Sequence, residues 1–313
     1  MPKQIVILDT ETLGRDLDLS VLEQFGEVTA YTTTTADETL SRIQNADIVI
    51  SNKVVLTEET MRQCPSLELI CIAATGTNNV DLDGAKKLNI AVKNVAGYST
   101  QSVVQHTFAM LFYLLEHMDY YHHVVQSGLW SMSGLFTDVS RPFHELSGKK
   151  WGIIGMGSIG QEVARVATAF GAHVGYYSTS GQNTEHPYLN QPLDVLLSTS
   201  DIISIHAPLN DKTYALVNET NLPLLRDKAI LLNLGRGGII NETDLAYELD
   251  RREIYAGLDV LEKEPFDPDN RLNGVVHKER LLITPHIAWS SIEARRKLLA
   301  GIVSNIETYL NKG

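Results

Sequence analysis

Short apolar runs alternate with amphipathic stretches along the whole chain. Residues 5–8, 28–31, 48–50, 69–72 and 90–92 read as buried strands, and 17–25, 36–43 and 81–88 between them carry helical spacing. That alternation predicts a parallel α/β unit ending near Asn94. A longer helical pattern follows from about 102 to 125, with Val103, Val104, Phe108, Leu111, Phe112, Leu115 and Met118 at its apolar positions. A single long helix connecting two units is expected there. Beyond the irregular stretch 128–145, a strand at 150–154 opens a second unit, and 229–232, 256–258 and 281–283 read as further strands. After His286 only about 27 residues remain, with Ile292, Leu298, Leu299, Ile302, Ile306 and Leu310 at helical spacing. So short a tail makes a helix packed on one of the two units, not a third domain. A length of 313 residues suits two domains. No Gly/Ser-rich tract separates them, so they are expected to be closely apposed.

Residues 155–160, Gly-Met-Gly-Ser-Ile-Gly, follow the strand at 151–154 and open a helical run through Ile159, Val163, Val166, Ala167 and Phe170. A second strand at 173–177 completes a β-α-β unit. This is the dinucleotide fingerprint in its proper setting: Gly155 for the tight turn, Gly157 for backbone approach to the pyrophosphate, Gly160 for close helix packing. The phosphates would rest on the helix N-terminus, whose free N–H groups favour anions. An NAD site usually carries Asp or Glu about 20 residues on, to hold the ribose hydroxyls. Here that place has Ser178, followed by Thr179 and Ser180. No carboxylate repels a 2′-phosphate and no Arg or Lys attracts one. NAD is the expected cofactor, and NADP stays open.

Three residues follow three consecutive late strands: Arg236 after 229–232, Glu264 after 256–258 and His286 after 281–283. In an open parallel sheet, ligands bind outside the carboxyl ends of the strands. Beside a nicotinamide, reduction of a 2-keto acid needs a carboxylate anchor, a polarised carbonyl and a proton for the new alkoxide. A guanidinium recognises carboxylate bidentately, so Arg236 is the candidate anchor. His286 is the candidate acid–base group, and Glu264 would favour its charged form and orient the ring. Each residue alone has an ordinary reading as a surface or loop side chain; the shared placement is what points to a reaction centre.

Composition narrows the classes. A hydrophobic fraction of 43% and a charged fraction of 20% are those of a globular protein. A formal net charge of -12 argues against a nucleic-acid surface, though not against an anionic substrate, since one placed Arg dominates a local field. Cys64 and Cys71 make neither a disulfide framework nor a metal site. His122 and His123 are adjacent and do not face a common site, so no metal is expected. Asp9-Thr10-Glu11, after the first strand, reads as a solvated loop. No apolar run approaches the roughly 20 residues of a membrane span, and the N-terminus lacks a secretory pattern. A cytoplasmic protein, without membrane or nucleic-acid partners, is expected.

The sequence resembles the D-isomer-specific 2-hydroxyacid dehydrogenases over nearly its whole length. The likeness runs through the glycine fingerprint, Ser204-Ile205-His206-Ala207-Pro208-Leu209 with Thr213, Asn233-Leu234-Gly235-Arg236-Gly237, Gly257-Leu258-Asp259-Val260, Glu264-Pro265 and Pro285-His286. It implies two Rossmann-like domains with parallel sheets and an active site in the interdomain cleft. Residues 1–100 plus 287–313 would form a split substrate domain, and 101–286 the NAD(P)-binding domain. Arg236, Glu264 and His286 would be catalytic. Cofactor contacts would come from Gly155, Met156, Gly157, Ser158, Ile159, Gly160, Ser178, Thr179, Ser180, His206, Ala207, Pro208, Thr213, Leu234, Gly235, Arg236, Asp259 and His286, with Thr107 a further position; Asp259 would hold the nicotinamide amide. Substrate contacts would come from Asn52, Lys53, Thr75, Gly76, Thr77, Arg236, His286 and Trp289. Within the family, Ala74-Thr75-Gly76-Thr77-Asn78-Asn79 and His286-Ile287-Ala288-Trp289 look most like glycerate dehydrogenases, or hydroxypyruvate reductases. The implied reaction is reversible hydride transfer between NAD(P)H and a small 2-keto acid, hydroxypyruvate or glyoxylate giving D-glycerate or glycolate. A D-lactate-type or broad 2-keto acid reductase is an alternative, and a cofactor-sensing, corepressor-like module another of a different class. The family further implies a homodimer, with the 128–145 arm contributing.

Overall fold

A computed structural model describes residues 2–311. The chain divides into two compact units: the residues up to Ser99 together with those from Ser290 onward, and Thr100–Trp289.

The first unit holds strands β1 (Lys3–Ile7), β2 (Gly26–Ala30), β3 (Ile48–Ser51), β4 (Leu69–Ile72) and β5 (Ala91–Lys93), with helices α1 (Ala36–Ile43), α2 (Glu58–Arg62) and α3 (Leu82–Lys87). Its sheet is parallel throughout, in the order β2-β1-β3-β4-β5. β3 and β4 are buried at every position, as a sheet covered on both faces requires. The segment before β2 forms a 3-10 helix, Leu19–Phe25, rather than an α-helix. The C-terminal helix, Ile292–Leu310, belongs here: it buries Ala294, Leu298, Ile302 and Ile306, and Asn305 Nδ2 donates to Asn94 O. Ser291 starts it by accepting the Ala294 N–H, an N-cap of the usual kind.

The second unit holds β6 (Lys150–Ile154), β7 (His173–Tyr177), β8 (Leu189–Asn190), β9 (Ile202–Ile205), β10 (Ile230–Asn233), β11 (Tyr255–Leu258) and β12 (Leu281–Ile283). Its helices are α4 (Thr100–Leu115), α5 (Met118–Gln126), α6 (Leu129–Ser133), α7 (Ser158–Ala169), α8 (Leu193–Thr199) and α9 (Glu242–Arg251). The parallel sheet runs β12-β11-β10-β9-β6-β7-β8. Alternate strand residues feed two cores: Ile154, Ile203, Leu231 and Ala256 face one, Trp151, Ile153, Ile202 and Leu232 the other. The buried Trp151 indole donates to Ser204 Oγ at 2.9 Å, so its polar atom is satisfied. Residues as far as Ala288 stay with this unit. Ser102 Oγ donates to Ala288 O, and the Ala288 N–H is held by Asp259.

One helix expected from 102 to 125 is two. The chain breaks at His117, which adopts φ 52° and ψ 42°, the left-handed region. Its ring packs 5.8 Å from that of Tyr255 on β11. The apolar spacing continues through this break and does not register it. Among the described residues, no helix is long and apolar enough to cross a membrane.

Candidate active site

β12, β11 and β10 are neighbours in the sheet, so the segments leaving their carboxyl ends emerge side by side. After β10 the chain turns sharply to present Arg236. Asn233, 2% exposed, shapes that turn from both sides: its Oδ1 accepts the Gly235 N–H at 3.1 Å and its Nδ2 donates to Arg236 O at 2.9 Å. Arg236 is half-buried, and Nη1 donates to Gly235 O. A Cβ at Gly237 would collide with Leu261 O, so only glycine lets this turn lie against the next segment. Leu261 in turn donates its N–H to Glu264 Oε1 at 3.0 Å.

The other oxygen of Glu264 reaches the histidine: Oε2 lies 2.7 Å from His286 Nδ1. His286 has φ 54°, a left-handed conformation that costs a non-glycine residue of order 1–3 kcal/mol and persists only where its surroundings impose it. They do. Asp259, 2% exposed, accepts the N–H groups of Ile287 and Ala288, both at 2.9 Å, and the Thr284 hydroxyl at 2.6 Å. His106 on α4 completes the cluster, its Nε2 3.1 Å from Thr284 Oγ1 and 3.5 Å from Asp259 Oδ1. Sequence reasoning gave Asp259 a cofactor role only. Its grip on the histidine loop, and the parts of Thr284 and His106, were missed because the partners lie far apart in the chain.

The glycine turn fits a dinucleotide. Gly155 has φ +96°, and a Cβ there would press on the backbone of Ala207. Gly160 packs its helix directly on Gly155 O, whereas above Gly157 nothing lies within 4 Å. Two polar atoms flank this turn at the ends of the neighbouring strands. Ser178 Oγ, after β7, and His206 Nδ1, after β9, are buried without a hydrogen-bond partner among the described residues. Buried polar groups are nearly always paired, so both suit a polar ligand in the cradle. His206 Nε2 lies 3.1 Å from Ser204 Oγ, and burial pushes the imidazole down to about 3, leaving it neutral. Thr213 is a turn residue, accepting the Asn210 N–H and donating to Pro208 O. Thr107 is fully buried, with its hydroxyl on Val103 O.

In the first unit, the loops carrying Asn52–Lys53 and Thr75–Thr77 follow the paired strands β3 and β4. Asp9, expected in a solvated loop, is instead 4% exposed. Its carboxylate accepts the N–H of Asn52 at 2.9 Å and of Lys53 at 2.7 Å, tying the first loop to the end of β1. Burial raises its pKa and those N–H groups oppose the rise. Asn52 Nδ2 donates to Thr12 Oγ1, and Thr75 Oγ1 to Val95 O. Trp289 is half-buried.

Comparison with known proteins identifies relatives of the chain. Residues 108–288 match the model of the D-isomer specific 2-hydroxyacid dehydrogenase NAD-binding domain. A hydroxypyruvate reductase of Blautia hydrogenotrophica is 38% identical, with 98% of this chain and 97% of that protein aligned. A glycerate dehydrogenase of Methylorubrum extorquens is 33% identical over 99% and 97%. The D-lactate dehydrogenase of Aquifex aeolicus, solved with NAD and lactic acid, superposes with a TM-score of 0.85 at 26% identity, covering 99% and 96%.

Proposed function

The chain belongs to the D-isomer specific 2-hydroxyacid dehydrogenases, and from that membership we propose that it reduces small 2-keto acids, hydroxypyruvate and glyoxylate foremost. It is an NAD(P)-dependent oxidoreductase. The observation that carries the reading is the 2.7 Å bond between His286 Nδ1 and Glu264 Oε2, beside the Arg236 turn. The corepressor-like alternative finds no support among the relatives, which carry enzyme names.

The turn at Gly155–Gly160, with Ser178 and His206, would hold the dinucleotide, which would supply a hydride for C2 of the keto acid. Arg236 keeps one N–H on Gly235 O and turns its remaining donors to the substrate carboxylate and C2 oxygen. With Nδ1 engaged by Glu264, Nε2 of His286 is the atom that delivers a proton to that oxygen, and takes it back in oxidation. Hydride on carbon and proton on oxygen together make the 2-hydroxy acid. Ser178, Thr179, Ser180 and His206 line the adenosine side in this reading. Trp289 closes on a small 3-hydroxymethyl group.

The enzyme works as a homodimer in this proposal. Support comes from the 128–145 arm, where Met132, Leu135, Phe136 and Val139 are all exposed, since clustered exposed apolar side chains mark interaction surfaces. The two buried free thiols, Cys64 and Cys71, suit the cytoplasm.

Oxidation of NADH, then NADPH, followed by absorbance with hydroxypyruvate, glyoxylate and pyruvate, tests the function. Turnover of the first two that collapses in His286→Asn is expected. Preference for pyruvate would move the assignment to a D-lactate-type enzyme, and silence with every pair would overturn it.

A further inference from the structure

Glu264 sits in a long irregular segment between β11 and the 3-10 turn Arg271–Gly274. Such a segment does not hold a side chain in register by itself, yet this one presents Glu264 to His286 at hydrogen-bond distance. Two of its points, one on each side of Glu264, are tied to the same carboxylate. The Glu262 N–H donates to Glu242 Oε1 at 2.6 Å, and Asn270 Nδ2 donates to Glu242 Oε2 at 2.5 Å. Glu242 is 7% exposed and is the first residue of α9, where the helix dipole favours a negative charge. It also ends the segment that begins at the Arg236 turn. We propose that Glu242 is a positioning residue for the reaction: its buried carboxylate spans the loop and fixes Glu264 against His286, in step with Arg236.

This inference rests on the function proposed above. The geometry makes the carboxylate, and not merely a side chain of that size, the essential part. Both oxygens accept hydrogen bonds, so Glu242→Gln leaves one acceptor for Glu262 and sets its NH2 against the NH2 of Asn270. The Asn270 amide is not free to flip, because its Oδ1 accepts the Leu272 N–H at 2.9 Å. Reversing the polarity of the second strut, with Glu242→Gln and Asn270→Asp together, restores a donor–acceptor pair and leaves an acceptor for Leu272.

The test is steady-state kinetics with hydroxypyruvate and NADH, together with hydrogen–deuterium exchange of the 259–270 segment. In Glu242→Gln, kcat should fall about tenfold, on the scale of one lost buried charge-assisted bond, with the KM for keto acid nearly unchanged. Exchange at residues 261–264 should quicken. The Glu242→Gln, Asn270→Asp pair should recover both, and Glu242→Gln added to Glu264→Gln should cost nothing further. Losses that multiply in that last variant, or a swap that rescues neither readout, would overturn the proposal. Should Glu242→Gln not fold, Asn270→Leu removes one strut alone and must show the same kcat loss without a KM change. A parent enzyme inactive on every keto acid would defeat the function instead, while exchange would still decide whether Glu242 holds the loop.

Discussion

Nδ1 of His286 lies 2.7 Å from Oε2 of Glu264, although the two residues leave different strands and are held by different groups. Asp259 sets the backbone of the histidine loop, and Leu261 sets the near oxygen of Glu264. The pair is thus preorganised from both sides. Replacing His286 by Asn should lower kcat by about 10²–10⁴-fold, the usual contribution of a positioned acid–base group. Glu264→Gln should cost less, since the ring keeps a hydrogen-bond partner. Cofactor fluorescence titration should give near-parental affinity in both variants; a loss confined to cofactor affinity would refute the acid–base assignment.

Cofactor choice should turn on Ser178. Its hydroxyl is buried and unpaired among the described residues, and no charge stands in 177–184 to discriminate the 2′-position. The parent should therefore use NADH and NADPH with similar efficiency. Ser178→Asp should repel a 2′-phosphate and raise the NADH preference by at least about tenfold. Kinetics with both coenzymes decide this, and an unchanged ratio would place the ribose elsewhere.

Acid should weaken the fold through His206. Burial pushes this imidazole down to about 3, against 6.5 for the ordinary group. Between those values the unfolded chain binds a proton that the native state does not, so stability falls as pH drops through the window and is flat above it. The full slope is about 1.4 kcal/mol per pH unit. Urea unfolding at several pH values from neutral downward should show a shallower decline in His206→Asn than in the parent. Parallel slopes would mean that the ring is hydrated and protonated in the native state.

The exposed arm should be an assembly element. Phe136 is 91% exposed and Met132 74%. Phe136→Asp combined with Met132→Asp should convert a dimer to a monomer in light scattering coupled to size exclusion, with the far-UV spectrum unchanged. A parent already monomeric at micromolar concentration would disprove the dimer.

Much of this molecule is legible in its sequence. Continuous apolar runs such as 48–50 and 69–72 can only be satisfied by a sheet covered on both faces, and they placed the strands. The glycine spacing marked the cofactor turn, because its demands on backbone shape and clearance are local. Arg236, Glu264 and His286 stood out because each closely follows a strand. What the tertiary structure alone decided is which group holds which. Asp9 binds the N–H of Asn52, 43 residues on, Asp259 that of Ala288, 29 on, and Glu242 that of Glu262, 20 on. The break at His117 sets its ring beside that of Tyr255, far along the chain. Periodicity records which face of an element is buried, and it does so within a few turns of chain. The partner of a buried carboxylate is chosen by the packing of segments distant in sequence, and nothing in the spacing of residues along the chain registers that choice.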